Sequence, residues 1–124
     1  MSAKKKSTPI HRRRVRLTRE RGGKCYWFLQ GTATASCVAR EGRMRQDGKN
    51  TKDRCTIDHL YDRFDVRRYE KGHSQKHQVA ACHDCNNHRS KLRHKNLPSE
   101  IKVKLCKREI TSKAVARLLA EAAP

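Results

Sequence analysis

Apolar residues are sparse along this chain and gather in short runs between long polar stretches. The densest run, residues 25–29 (Cys-Tyr-Trp-Phe-Leu), reads as a strand or knuckle anchored in the core. Gly22-Gly23 breaks any helix begun over residues 17–21. Residues 31–39 are small and Thr-rich, which predicts a turn and a short strand. Residues 41–53 are polar and carry Gly42, Gly48 and Asn50, so they read as a loop. Residues 55–60 (Cys-Thr-Ile-Asp-His-Leu) read as a strand ending at Asp58-His59. Residues 61–76 form a long polar loop, and loops of that length in a small domain are usually functional. Residues 77–81 rise into Val79-Ala80-Ala81, a second strand. A helix is expected over 86–95, starting at Cys85, and another from Pro98-Ser99-Glu100 with Ser99 as N-cap. Thr111 is placed to cap a last helix, in which Val115, Leu118 and Leu119 make an apolar stripe. That stripe suits a homodimer or the capping of the core equally well. Cys106 reads as the buried face of its helix. There is no internal repeat.

Composition narrows this picture. At 124 residues the chain reads as one domain with tails. Residues 1–16 are a basic arm, expected to be disordered, with Arg12, Arg13, Arg14 and Arg16 beside His11. Residues 17–106 form the domain, and 107–124 a C-terminal helical extension. The hydrophobic fraction is 35% and the aromatic fraction 5%, so the core must be small and a structural metal would help to hold it. Lys and Arg number 31 against 12 acids, a net charge of +19. That excess is larger than solubility needs and implies a polyanionic partner.

Six cysteines are present, but no apolar leader precedes them and no stretch approaches a transmembrane helix. The expectation is a reduced, cytoplasmic protein with no membrane partner, where a Cys-x-x-Cys binds metal or does redox chemistry. The redox reading would want a βαβ unit, and no parallel-sheet pattern appears.

The chemistry gathers in two places: Asp58-His59, and Cys82-His83-Asp84-Cys85-Asn86. Each is weak alone. Asp-His steps are common on surfaces, Asn86 suits a helix N-cap, and His77 lies in a stretch rich in histidine (His73, His77, His83, His88). Their order is specific: strand ending in Asp-His, long loop, strand, Cys-x-x-Cys-Asn, helix. Residues 55–91 in this order resemble the HNH endonuclease family, most clearly in CTIDHLYDRFDVRR and HQVAACHDCNNHRSK.

The resemblance implies an α+β fold: a small ββα-metal core (a two-stranded hairpin plus a metal-bearing helix), structural zinc, extra C-terminal helices and the basic arm. Residues 17–106 would be the nuclease domain. The activity implied is metal-dependent hydrolysis of DNA, as endonuclease or nickase, in a bacterial or phage-infected cell. Asp58 and Asn86 would offer hard oxygen ligands to catalytic Mg²⁺ or Mn²⁺. His59 would be the general base, since an imidazole titrates near neutrality. His88, two residues past Asn86, is a rival third ligand. The family usually has Asn at the middle position of the motif, five residues before the first Cys, as the catalytic partner that orients the base; here it is His77, whose imidazole would fill that role by bonding a backbone carbonyl, and the change puts the orientation of the base in question.

For structural Zn²⁺, Cys82 and Cys85 have knuckle spacing. The family commonly supplies a second Cys-x-x-Cys upstream. Cys25 matches its first position, and Phe28 stands at the second. The fourth thiolate then comes from Cys37 or Cys55, with Cys37 preferred because Cys55 shares the Asp58 strand. Three thiolates with one imidazole, or no zinc, are the remaining options. Arg63, Arg67, Arg68 and Lys71 in the loop would contact DNA phosphates; Arg89 leads a basic row with Lys91, Arg93 and Lys95 that reads as phosphate contact or solvated face. A different class remains open: a non-catalytic, zinc-stabilised nucleic-acid-binding module.

Overall fold

A computed structural model of the chain describes residues 8–47, 51–70 and 77–122. Lys71 and His73 lie outside the described residues, as do Gly48 and Asn50. The fold is mixed α and β. In order come α1 (Pro9–Arg19), α2 (Tyr26–Leu29), α3 (Ala35–Ala39), β1 (Cys55–His59), a 3-10 turn (Val66–Tyr69), β2 (Gln78–Cys82), α4 (His83–Lys95), α5 (Ser99–Cys106) and α6 (Ser112–Ala122). β1 and β2 form a two-stranded antiparallel sheet. Leu60 N donates to His77 O at 2.9 Å, a register that sets Thr56 opposite Ala81 and His59 opposite Gln78. No helix among the described residues is long and apolar enough to cross a membrane.

The chain divides into two compact units. The first is Met1–Asp58 with Val79–Asn87, and the second is His59–Gln78 with His88–Pro124. In the first, Cys25, Cys37, Ala81, Cys82 and Cys85 are buried together, with Trp27, Phe28, Ala33 and Met44 packed around them. Leu17, Cys55 and Ala80 make a second small cluster. The second unit is built on Phe64, Leu97 and Val115, surrounded by Ile101, Leu105, Ile110 and Leu119.

Several elements differ from expectation, each for a local reason. The basic arm is helical from Pro9. Thr8 Oγ1 accepts the His11 N–H at 3.1 Å, Pro9 occupies the first turn, and Leu17 buries itself to 4% exposure. Gly22 and Gly23, at φ of 62° and 81°, then end the helix. Residues 26–29 form a single helical turn rather than a strand, because Cys25 is extended and its N–H is tied to Gly42 O at 2.7 Å. Residues 35–39 are helical because Thr34 caps them, its Oγ1 accepting from Cys37 N at 3.3 Å. α4 starts at His83, before Cys85, with Asp84 in its first turn favouring the helix dipole. α5 is preceded by Pro98 rather than capped by Ser99. Thr111 does cap α6, accepting from Ala114 N at 3.1 Å. Val115 is buried and Leu119 packs beside it, while Leu118 stays exposed, so the stripe is narrower than it reads in sequence. Cys106 is exposed, not on a buried face.

Gly42 is the glycine with a double demand on it. Its φ is +74°, and a Cβ there would meet the Phe28 ring at 2.6 Å. Gly42→Ala is therefore expected to destabilise the chain by more than about 1 kcal/mol, read as a lowered midpoint in thermal melting. An unchanged midpoint would show that neither the turn nor the Phe28 contact constrains this position.

Candidate metal centre and carboxylate site

Four cysteines converge from distant parts of the sequence. Cys25 precedes α2, Cys37 lies in α3, Cys82 ends β2 and Cys85 is in the first turn of α4. Their Sγ atoms all lie within 4.8 Å of one another, and all four residues are buried. Tetrahedral zinc, with Zn–S bonds of about 2.3 Å, sets sulfurs about 3.8 Å apart, so the cluster can hold a metal such as zinc with a small contraction. Cys37 is the fourth member; Cys55 is buried elsewhere, its Sγ 3.2 Å from Thr18 Oγ1.

Backbone donors support the sulfurs. Cys82 N donates to Cys25 Sγ at 3.4 Å, Cys85 N to Cys82 Sγ at 3.4 Å, and Thr34 N to Cys85 Sγ at 3.5 Å. Such N–H groups favour thiolate over thiol. The Cys82 thiol donates to Cys25 and, with backbone N–H groups, holds its pKa at about 5. Burial, then the nearby Cys25 charge, pushes Cys37 up to about 12. Cys82 is raised, first by that same hydrogen bond to Cys25 and then by burial. The set of four buried thiols with sulfur-directed donors fits a divalent, thiophilic ion. Thr34 Oγ1 also donates to the Asp84 carboxylate, fastening the start of α4 to the loop before α3.

The Asp58 carboxylate is engaged within the same unit: Trp27 Nε1 donates to its Oδ2 at 2.8 Å. Asn86 is fixed by a short relay. Its Nδ2 donates to Thr56 Oγ1 at 2.9 Å, and Thr56 Oγ1 donates to Ala81 O at 2.9 Å. Thr56 and Asp58 are two apart on β1 and share a face of the strand, so Asn86 rests on the face that carries Asp58.

His59 is the last residue of β1. Its Nε2 lies 3.3 Å from Gln78 Nε2, the cross-strand neighbour. His77 presents its carbonyl to Leu60 N and its ring to Tyr61, with centroids 5.2 Å apart. His77 is marked in the sequence by its place in the motif, whereas Gln78 beside it carries no spacing signal. Trp27 and Thr56 carry no such signal either, since the groups they hold lie 31 and 30 residues away. His88 is exposed, and among the described residues it joins no cluster of three or more His, Cys, Asp or Glu.

The arginines differ in their engagement. Arg67 forms a two-pronged pair with Asp65, at 2.7 and 3.0 Å, and lies over the Tyr61 ring. That pair holds the Asp65 carboxyl below its usual range. Arg63 is exposed and lies over Phe64. Arg68 and Arg89 are half-buried. Arg93 pairs with Asp62 at 3.3 Å and reaches Phe64 O, with its side chain still 41% exposed. It braces the second unit from its place in the helix's basic row. No family profile matches the chain, and neither the curated proteins nor the solved structures give a significant match.

Proposed function

We propose that this chain is a metal-dependent endonuclease or nickase of the HNH type, with β1, β2 and α4 as its ββα-metal core and zinc on the four cysteines. The observation that carries the reading is the carboxylate of Asp58 and the amide of Asn86 on one face of β1, each held by its own hydrogen-bond partner. Both groups offer hard oxygens, the donor class that Mg²⁺ and Mn²⁺ prefer. When bound there, such an ion supplies charge neutralisation at the attacked phosphate and at the departing 3′ oxygen. His59, the next residue after Asp58, takes the proton from the attacking water, a task suited to an imidazole. Gln78 lies against the ring at Nε2; with its amide turned so that the oxygen accepts from Nε2–H, it would leave Nδ1 to take the proton.

The partner in this reading is DNA, and the net charge of +19 supports it. Arg63, Arg68 and Arg89 are the arginines to grip phosphates; Arg67 contributes after exchanging its Asp65 pair. Six to ten phosphate contacts would make binding fall by about three to five decades between about 50 and about 200 mM salt. Fluorescence anisotropy of labelled duplex with His59→Ala protein measures this, and a flat salt profile would remove the phosphate grip.

A second reading has support of its own. The cysteine cluster and the positive charge are also what a zinc-stabilised nucleic-acid-binding module needs. Such a module has no use for a carboxylate near phosphate, which costs affinity. Nicking of supercoiled plasmid by the full chain, dependent on Mg²⁺ or Mn²⁺ and stopped by EDTA, separates the two.

A further inference from the structure

The two proposed metal ligands are each held by a neutral group from elsewhere in the first unit, and the hydrogen-bond directions are informative. Thr56 has a single hydroxyl proton, and Ala81 O accepts it. The Thr56 oxygen can then only accept from Asn86, so the group facing it must be the NH₂ end of the amide. This settles the amide orientation and turns Asn86 Oδ1 away from Thr56. Ala81 is wholly buried and Thr56 is on the strand, so the relay is anchored in the core. On the other ligand, the Trp27 indole can only donate, so Asp58 Oδ2 accepts from it and is held in place. Trp27 sits two residues past Cys25, so the turn that carries a cluster cysteine also carries the donor to Asp58.

We infer that Thr56 and Trp27 are positioning residues for a hard divalent cation: Thr56 presents the Asn86 oxygen, and Trp27 fixes the Asp58 carboxylate. The inference rests on the proposed roles of Asp58 and Asn86 and extends them to groups that touch neither ion nor substrate. Partners of this kind typically change metal affinity by about 10- to 100-fold when lost. Valine at 56 keeps the β-branched shape but neither donates nor accepts, so Asn86 loses its fixed orientation. Serine keeps the hydroxyl. Phenylalanine at 27 keeps an aromatic ring beside Tyr26, where the present rings meet edge-on, and removes the donor.

The test is Mn²⁺ binding to the full chain prepared with zinc, read by the loss of the free-ion electron paramagnetic resonance signal. Thr56→Val and Trp27→Phe should each weaken binding by about 10- to 100-fold, with Thr56→Ser close to the parent protein. Raised Mn²⁺ should restore nicking in Thr56→Val and leave His59→Ala inactive, which a merely structural defect would not do. If Thr56→Val and Trp27→Phe bind Mn²⁺ like the parent while Asp58→Ala does not, the positioning roles are wrong and the metal site stands. If Asp58→Ala binds like the parent, the metal site itself is wrong and the inference falls with it. Should Thr56→Val fail to fold, Trp27→Phe and Thr56→Ser decide the matter: parent-like binding in Trp27→Phe overturns the inference, and loss restricted to Trp27→Phe upholds it.

Discussion

His59→Ala is expected to reduce plasmid nicking by about 100- to 10,000-fold, the range that a positioned general base contributes. The alanine variant should still retard plasmid DNA with affinity close to the parent, because one side chain adds little to the attraction between a chain of net charge +19 and phosphate. The separation of rate from binding is the point of the experiment. A residue that only supported the strand end would lose both together. In the proposed mechanism the Gln78 amide bears on the base, because a hydrogen bond at Nε2 selects which ring nitrogen keeps the proton, and only an amide oxygen accepting from Nε2–H leaves Nδ1 to act. Gln78→Ala should therefore lower the rate by less than His59→Ala. Full-rate cleavage by His59→Ala would take His59 out of the base role.

Cys82→Ser carries the second large effect. Cys82 is fully buried, its Sγ accepts the Cys85 N–H, and it lies among the other three thiols. Structural zinc binding provides about 10–16 kcal/mol of apparent folding free energy in small zinc domains, against a typical total stability of about 5–15 kcal/mol. Loss of one thiolate should leave the chain unfolded or melting far below the parent. Circular dichroism melting, with zinc stoichiometry by mass spectrometry, reads the result. The parent should carry one zinc per chain, and Cys55→Ser should keep it, because Cys55 is buried beside Leu17 and Ala80. A Cys82→Ser protein with the parent's melting curve would show that no metal depends on this residue.

The sequence made some of this visible and hid the rest for physical reasons. Both strands were legible because Ile57 and Val79-Ala80-Ala81 are apolar and sit between polar stretches. α1 was hidden, since its many arginines mask the fact that one buried leucine and a Thr-Pro start are enough to organise it. α2 and α3 were hidden because their form is set by what surrounds them: the tie of Cys25 to Gly42 and the cap from Thr34. The Cys82–Cys85 spacing marks a knuckle, whereas the contribution of Cys37 depends on a fold that brings α3 to the end of β2. Trp27 meets Asp58 across 31 residues and Asn86 meets Thr56 across 30, with no local pattern to betray either contact.

The most direct measurement is nicking of supercoiled plasmid by the full chain with Mg²⁺, with Mn²⁺ and with EDTA, beside Asp58→Ala and Asn86→Ala. A nuclease of the proposed type converts supercoiled to open-circle DNA with either ion, stops in EDTA, and loses this activity in both variants. Tight plasmid binding without cleavage in any metal would contradict the account and leave a zinc-stabilised nucleic-acid-binding module in its place.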